Sequence, residues 1–81
     1  MRYERTFRFK QEYKKFPFEV QRAFEKRLAY LLKNIRHPSL RAKKYDESRD
    51  IWQARVTGDV RFYFRIEDDT YLLLNILKHP K

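Results

Sequence analysis

The 81 residues carry 20 Lys and Arg against 11 Asp and Glu, a formal charge of +9 with both histidines neutral, so the expected partner is a polyanion. Hydrophobic residues at 42%, with one glycine and three prolines, exclude a disordered basic tail, and the length excludes a second core or a separate cofactor-binding domain. The absence of cysteine removes disulfides, thiolate zinc sites and thiol nucleophiles together.

At the start, Tyr3, Arg5, Phe7 and Phe9 alternate with Glu4, Thr6 and Arg8, a period of two that predicts a strand from Tyr3 to Phe9. Phe9, Tyr13 and Phe16 then fall at i, i+4 and i+7, which suits a short helix that Pro17 ends or bends. Pro17 opens a second helix, with Val20, Ala23, Phe24, Leu28 and Leu31 as one apolar stripe and Glu19, Arg22, Glu25, Lys26 and Lys33 on the wet side. Glu19 near its start and Lys33 near its end complement the helix dipole. Asn34, which tolerates left-handed backbone, is expected to cap it, with Ile35 folding back and Pro38 blocking extension.

After Pro38 the period changes. Runs of β-branched, aromatic and aliphatic residues, Leu40 to Tyr45, Ile51 to Val56, Val60 to Glu67 and Tyr71 to Lys78, are separated by Asp46-Glu47-Ser48, Gly58-Asp59 and Asp68-Asp69. Short loops make such neighbours antiparallel, so the class is α+β: an N-terminal strand, then two helices packed on one face of a mostly antiparallel sheet. With no repeat or linker, residues 1–81 read as one domain. The last run is apolar on both sides, which places it in the middle of the sheet. The longest uncharged stretch, Thr70 to Leu77, is too short to span a membrane, and Met1 to Arg5 leads into no signal-peptide core, so a cytoplasmic protein without membrane contact is expected.

Register exposes a cationic site. Val60, Phe62, Phe64 and Ile66 face one way, towards the helices, and Arg61, Tyr63 and Arg65 the other; in the preceding strand Trp52, Ala54 and Val56 form the apolar set, leaving Ile51, Gln53 and Arg55 on the open face. Matching apolar faces centres the hairpin on Gly58 with a loop of three or five residues, and sets Arg55 opposite Arg61 and Gln53 opposite Tyr63. A two-residue Gly58-Asp59 turn would pair Val56 with Arg61 and mix the faces. Two arginines directly opposite repel unless an anion sits between them, and the planar guanidinium fork suits phosphate oxygens and stacked bases. The alternative is that both splay into water or pair with acidic residues of a partner.

Weaker signals surround this pair. Lys78 and His79 arrive at the sheet rim, where a histidine can move a proton near neutral pH; a surface histidine at a chain end is the plainer reading. Arg41, Lys43 and Lys44 form a basic run in which one lysine must share the open face, or else simply protect an edge strand. Trp52, opposite Phe64, is expected in the core, and His37 before Pro38 in a loop. Two distant histidines without cysteine or repeated carboxylate spacing offer no metal site, and a single glycine offers no phosphate loop, so no metal or cofactor is expected.

The segments Tyr13-Lys14-Lys15-Phe16-Pro17, His37-Pro38-Ser39-Leu40-Arg41, and Asp50-Ile51-Trp52 to Arg55-Val56 followed by Val60-Arg61-Phe62 resemble, in order and spacing, the RelE/ParE superfamily of bacterial type II toxins. The resemblance covers nearly the whole chain and is closest to the RelE-like ribosome-dependent endoribonucleases. It implies a small toxin that enters the ribosomal A site, cuts messenger RNA and is held inactive by a cognate antitoxin, with DNA reached only through that antitoxin. It implies that Arg61 matches the family arginine after the hairpin turn and that Arg55 lies close to a basic position on the preceding strand. Gln53 stands near a family lysine, and Lys78 and His79 near the basic end of the last strand. Many relatives continue into a tail carrying a catalytic tyrosine, whereas this sequence stops at Lys81, so His79 or Tyr63 is expected to compensate or the activity to be weakened.

The expected catalytic residues are therefore Arg61, His79 and Arg55, with Lys43, Lys44, Gln53, Tyr63, Arg65 and Lys78 contacting RNA. The runner-up is a ParE-like inhibitor of DNA gyrase. A third reading is an inactive module that only holds nucleic acid or antitoxin, since fold alone does not separate these.

Overall fold

Thr6 divides the first strand from the first helix. Its hydroxyl accepts the Phe9 N–H at 3.2 Å and donates to the Leu73 carbonyl at 2.8 Å, so one side chain caps a helix and ties it to the last strand. The alternation expected to run from Tyr3 to Phe9 accordingly stops at Arg5: β1 is Arg2–Arg5 and α1 is Phe7–Tyr13. Phe7 is exposed on the helix while Phe9 is fully buried, because the period after Thr6 is that of a helix. The computed structural model describes residues 1–79; the end of the chain, on which the expectation about a missing tail rests, lies outside them.

Helix α2 spans Phe18–Lys33 with Pro17 as its N-cap, and it buries Phe24, Leu28 and Leu31 from the expected stripe. Asn34 caps it with extended rather than left-handed backbone (φ −164°), and its side chain accepts the Arg36 N–H at 2.9 Å, which turns the chain without a left-handed residue there. The left-handed residue is Arg41 (φ 47°), after a 3-10 turn at Pro38–Leu40 that buries Leu40. That turn displaces the first strand of the second half, expected from Leu40, to β2 at Lys43–Asp46. Strands β3 (Ile51–Arg55), β4 (Val60–Glu67) and β5 (Thr70–Lys78) follow the reading closely.

The sheet order is β1-β5-β4-β3-β2, with β1 parallel to β5 and every other pair antiparallel. Strand β4 takes the centre, and β5, expected there, is internal beside it. The helices cover one face: Phe24 of α2 meets Phe9 and Phe62 at 5.1 Å between ring centroids. Trp52 is only half-buried, stacked on Phe64 at 6.2 Å with the Lys44 ammonium 5.2 Å above its ring, so it walls the core instead of filling it.

Pairing between β4 and β5 slips at Leu74: Tyr63 faces Asn75, but Phe64 faces Leu73. This bulge changes which parity of β5 points to the core. Tyr71 and Leu73 are buried before it and Ile76 after it, so Leu77, opposite Arg61, lies on the open face while Leu73 does not. Leu73 and Leu77, four residues apart, would share a face in an unbroken strand, and the bulge parts them.

Candidate nucleic-acid interface

The β3–β4 hairpin has the register that the apolar faces demand. Arg55 pairs with Arg61, Gln53 with Tyr63 and Trp52 with Phe64, and the Val56 N–H donates to the Val60 carbonyl at 2.9 Å to close the loop. Arg61 is then held by its own turn: Nη1 donates to the carbonyls of Thr57 (2.7 Å), Val60 (3.1 Å) and Gly58 (3.3 Å). One nitrogen makes all three bonds, leaving Nε and Nη2 without a partner among the described residues. Such an arginine is fixed in place with donors to spare, which is the condition for anion recognition without a large ordering cost.

His79 is not loose either. Its N–H donates to the Asp59 carbonyl at 2.7 Å, which binds the end of β5 to the hairpin tip and sets the exposed imidazole beside the arginines. Arg55, Arg61 and His79 line one hollow of about 340 Å³ with Arg41, Lys43 and Gln53. Four of these residues, Arg41, Lys43, Arg55 and Arg61, carry fixed positive charge and none of the lining residues is acidic. Four like charges around one hollow repel, which favours an anion between them.

A second hollow of about 520 Å³ adjoins it on the same face, lined by Tyr45, Ile51, Tyr63 and Leu77 among others. Tyr45 meets Tyr63 edge-on at 5.1 Å, and Tyr45 and Leu77 are exposed. Gln53 joins the two hollows: although expected on an open surface it is buried, and its Nε2 donates to the Tyr63 hydroxyl at 3.1 Å. Since that bond uses the phenol oxygen as acceptor, the Tyr63 proton stays available to another group. A cationic hollow beside an aromatic one is the arrangement that a nucleotide needs, with phosphate in the first and base on the second.

Of the residues expected at this site, Lys44 and Arg65 lie elsewhere and Lys78 lies in the adjoining hollow. Lys44 pairs with Trp52 on the helix-bearing face and is held by Asp50 at 2.6 Å and Glu47 at 3.7 Å, which raise its pKa, the bond to Asp50 contributing most. Of the two lysines, one of which had to share the open face, it is Lys43, opposite Gln53, that does so. Arg65 lies beyond the cationic hollow and pairs with Glu67 at 3.6 Å. Lys78, opposite Val60, lines the aromatic hollow. Tyr45, Leu77 and Arg41 escaped sequence reasoning as site members, since the β2 register and the bulge that place them leave no mark in hydrophobic alternation. Among the described residues no group of His, Asp and Glu is arranged to hold a metal, and no helix is long and apolar enough to cross a membrane.

An N-terminal strand running parallel to the last strand of an otherwise antiparallel sheet, with both helices on one face, is the fold of the RelE/ParE-type toxins. No protein-family model matches the sequence, and no curated protein does. Solved structures match over nearly the full length. The YoeB dimer from Staphylococcus aureus superposes with a TM-score of 0.83 at 12% identity, over 99% of this chain and 98% of that one. The YoeB/ParE toxin from Agrobacterium tumefaciens gives 0.81 at 11% identity, over 99% and 100%. The archaeal RelE in its RelE-RelB complex from Pyrococcus horikoshii gives 0.80 at 16% identity, over 99% and 96%. At these identities the likeness is one of fold.

Proposed function

We propose that the chain is the toxin of a type II toxin-antitoxin pair, acting in the cytoplasm as one folded unit and cleaving messenger RNA on the ribosome. The observation that carries this reading is the acid-free cationic hollow, in which Arg61 is fixed by its own hairpin and His79 by the hairpin tip. The RNA supplies its own nucleophile: the 2′-oxygen bonds to the adjacent phosphorus as the P–O5′ bond breaks, giving a 2′,3′-cyclic phosphate and a 5′-hydroxyl. Arg61 and Arg55 stabilise the charge that grows on the non-bridging oxygens, and His79 moves a proton between the attacking or leaving oxygen and solvent. The neighbouring tyrosines hold a base beside the scissile phosphate.

The solved RelE-RelB complex supports an antitoxin partner here as well. With +9 to neutralise, that partner is an acidic segment, ordered on binding over the open face. The deciding assay is a translating ribosome with end-mapped messenger RNA, in wild type and His79→Ala. Cleavage that survives chelator, leaves the ends named above and slows in the variant supports the reading. Intact message together with inhibited gyrase supercoiling would overturn it in favour of a ParE-like activity.

A further inference from the structure

A third hollow, of about 220 Å³, lies on the other side of the sheet where the chain leaves α2 for β2. Alternation along the strands sets the two sides: Lys43 and Gln53 point to the open face, Ala42 and Trp52 to the helix-bearing face, and it is the latter two that line this hollow. Its cations are Arg36 and Arg41, and no acidic residue lines it. Neither guanidinium makes a hydrogen bond or ion pair with a described residue.

The loop that carries them is anchored at several points. Arg27 donates to the carbonyls of Ser39 (2.8 Å) and Val56 (3.2 Å), which fastens the 3-10 turn to the end of β3. His37 stacks on Tyr30 with centroids 3.9 Å apart and planes 4° from parallel. Its Nδ1 receives the Ser39 N–H at 3.2 Å and contacts the Ser39 hydroxyl at 2.8 Å. A backbone N–H can only donate, so Nδ1 is the acceptor and the ring hydrogen sits on Nε2, which has no described partner. Three donor side chains, Arg36, Arg41 and His37, thus line the hollow with no carboxylate to answer them. Arg41, in its left-handed backbone conformation, lines both this hollow and the cationic hollow of the open face.

We infer that this hollow is a second phosphodiester-binding site, and that one RNA strand runs from the open face round the β2 edge into it, with Arg41 bridging the two. The inference rests on the nucleic-acid reading of the open face, and it adds a footprint that the cleavage site alone does not require. A strand long enough to turn the edge gains the contacts of Arg36 and His37; a short one occupies only the first hollow. Trp52, the only tryptophan, lies in the third hollow and reports on it.

The test compares oligoribonucleotides of about four and about twelve nucleotides, binding to wild type, Arg36→Ala, His37→Ala and Arg55→Ala. The longer RNA should change Trp52 emission and the shorter should not. Arg36→Ala and His37→Ala should weaken the longer RNA on the order of threefold to tenfold each and leave the shorter unchanged, with a salt slope shallower by about 0.7 for Arg36→Ala and unaltered for His37→Ala, whose contact carries no charge. Arg36 is exposed and its side chain touches no described polar group, so its variant folds even if loss of the His37 stack disturbs the loop. Equal effects of Arg36→Ala on both lengths, or Trp52 emission blind to the longer RNA, would overturn the second site while Arg55→Ala still weakened both. Failure of wild type to bind either length would overturn the open-face reading and this one with it.

Discussion

Arg61 illustrates how a charge is made useful by neutral neighbours. Three turn carbonyls hold Nη1 and none neutralises it, so the guanidinium keeps its full charge at a fixed place on the sheet. A lysine there would keep the charge and lose the fork. Arg61→Lys is therefore expected to bind RNA nearly as well as wild type yet cleave on the order of a hundredfold more slowly, and Arg61→Ala to lose that rate and weaken binding as well, since a planar donor pair aimed at a phosphoryl oxygen is worth roughly 2 to 4 kcal/mol in the transition state. Equal cleavage by Arg61→Lys would reduce Arg61 to a point charge. Two tyrosines away from the site contribute stability that alkali removes. Burial raises the pKa of Tyr13, helped by its 2.6 Å bond to Glu25, and burial alone raises that of Tyr71. Folded values above the unfolded one, about 10, mean that this stabilisation is complete below pH 10 and is lost as pH climbs through the raised values. Chemical denaturation at pH 9 and pH 11 should show the loss, and Tyr13→Phe should make it smaller.

Strand pairing carries the next level of organisation, and it divides what was legible from what was not. The β3–β4 register could be read from sequence because both strands alternate cleanly, and only one parity puts Phe62 and Phe64 with Ala54 and Val56. Strand β5 is apolar on both parities, so nothing in its residues marks the slip at Leu74. The bulge is written instead in distant partners. Thr6 donates to the carbonyls of Leu73 and Leu74, and Glu12 accepts from the Ile76 N–H at 3.1 Å and the Asn75 amide at 3.2 Å, beyond the point where β1 ends. These are contacts across more than sixty residues, invisible to any local pattern. Likewise Arg55 and Arg61 could be placed from parity, whereas Tyr45 and Leu77 depend on how the edges are held. Glu12→Ala strips the Ile76 N–H of its partner and should destabilise by about 1 to 3 kcal/mol in urea unfolding. Because the same carboxylate steadies the strand that delivers Leu77 and His79, cleavage should fall as well, although Glu12 touches no RNA. Unchanged stability would mean that water replaces the carboxylate at no cost.

Across the molecule, function and stability pull against each other. A chain of +9 concentrates four cations in one acid-free hollow, so the folded state carries a repulsion that a bound polyanion relieves. Binding to the folded state alone stabilises by mass action, about 2.7 kcal/mol when ligand stands at a hundred times its Kd. For a domain of this size each kcal/mol moves Tm by roughly 4 to 8 °C, so saturating oligoribonucleotide should raise Tm on the order of 10 to 20 °C. The rise should shrink steeply with added salt, since released counterions supply most of the affinity. Arg55→Ala combined with Arg61→Ala gives the internal control. Removing two of the four like charges relieves repulsion but also removes the three bonds of Arg61 to its turn, and the two effects oppose, so the free protein should melt within a few degrees of wild type while most of the ligand-induced rise disappears. A double variant that melts far lower without ligand and rises as far with it would mean that the arginines are structural and that RNA binds elsewhere on the surface.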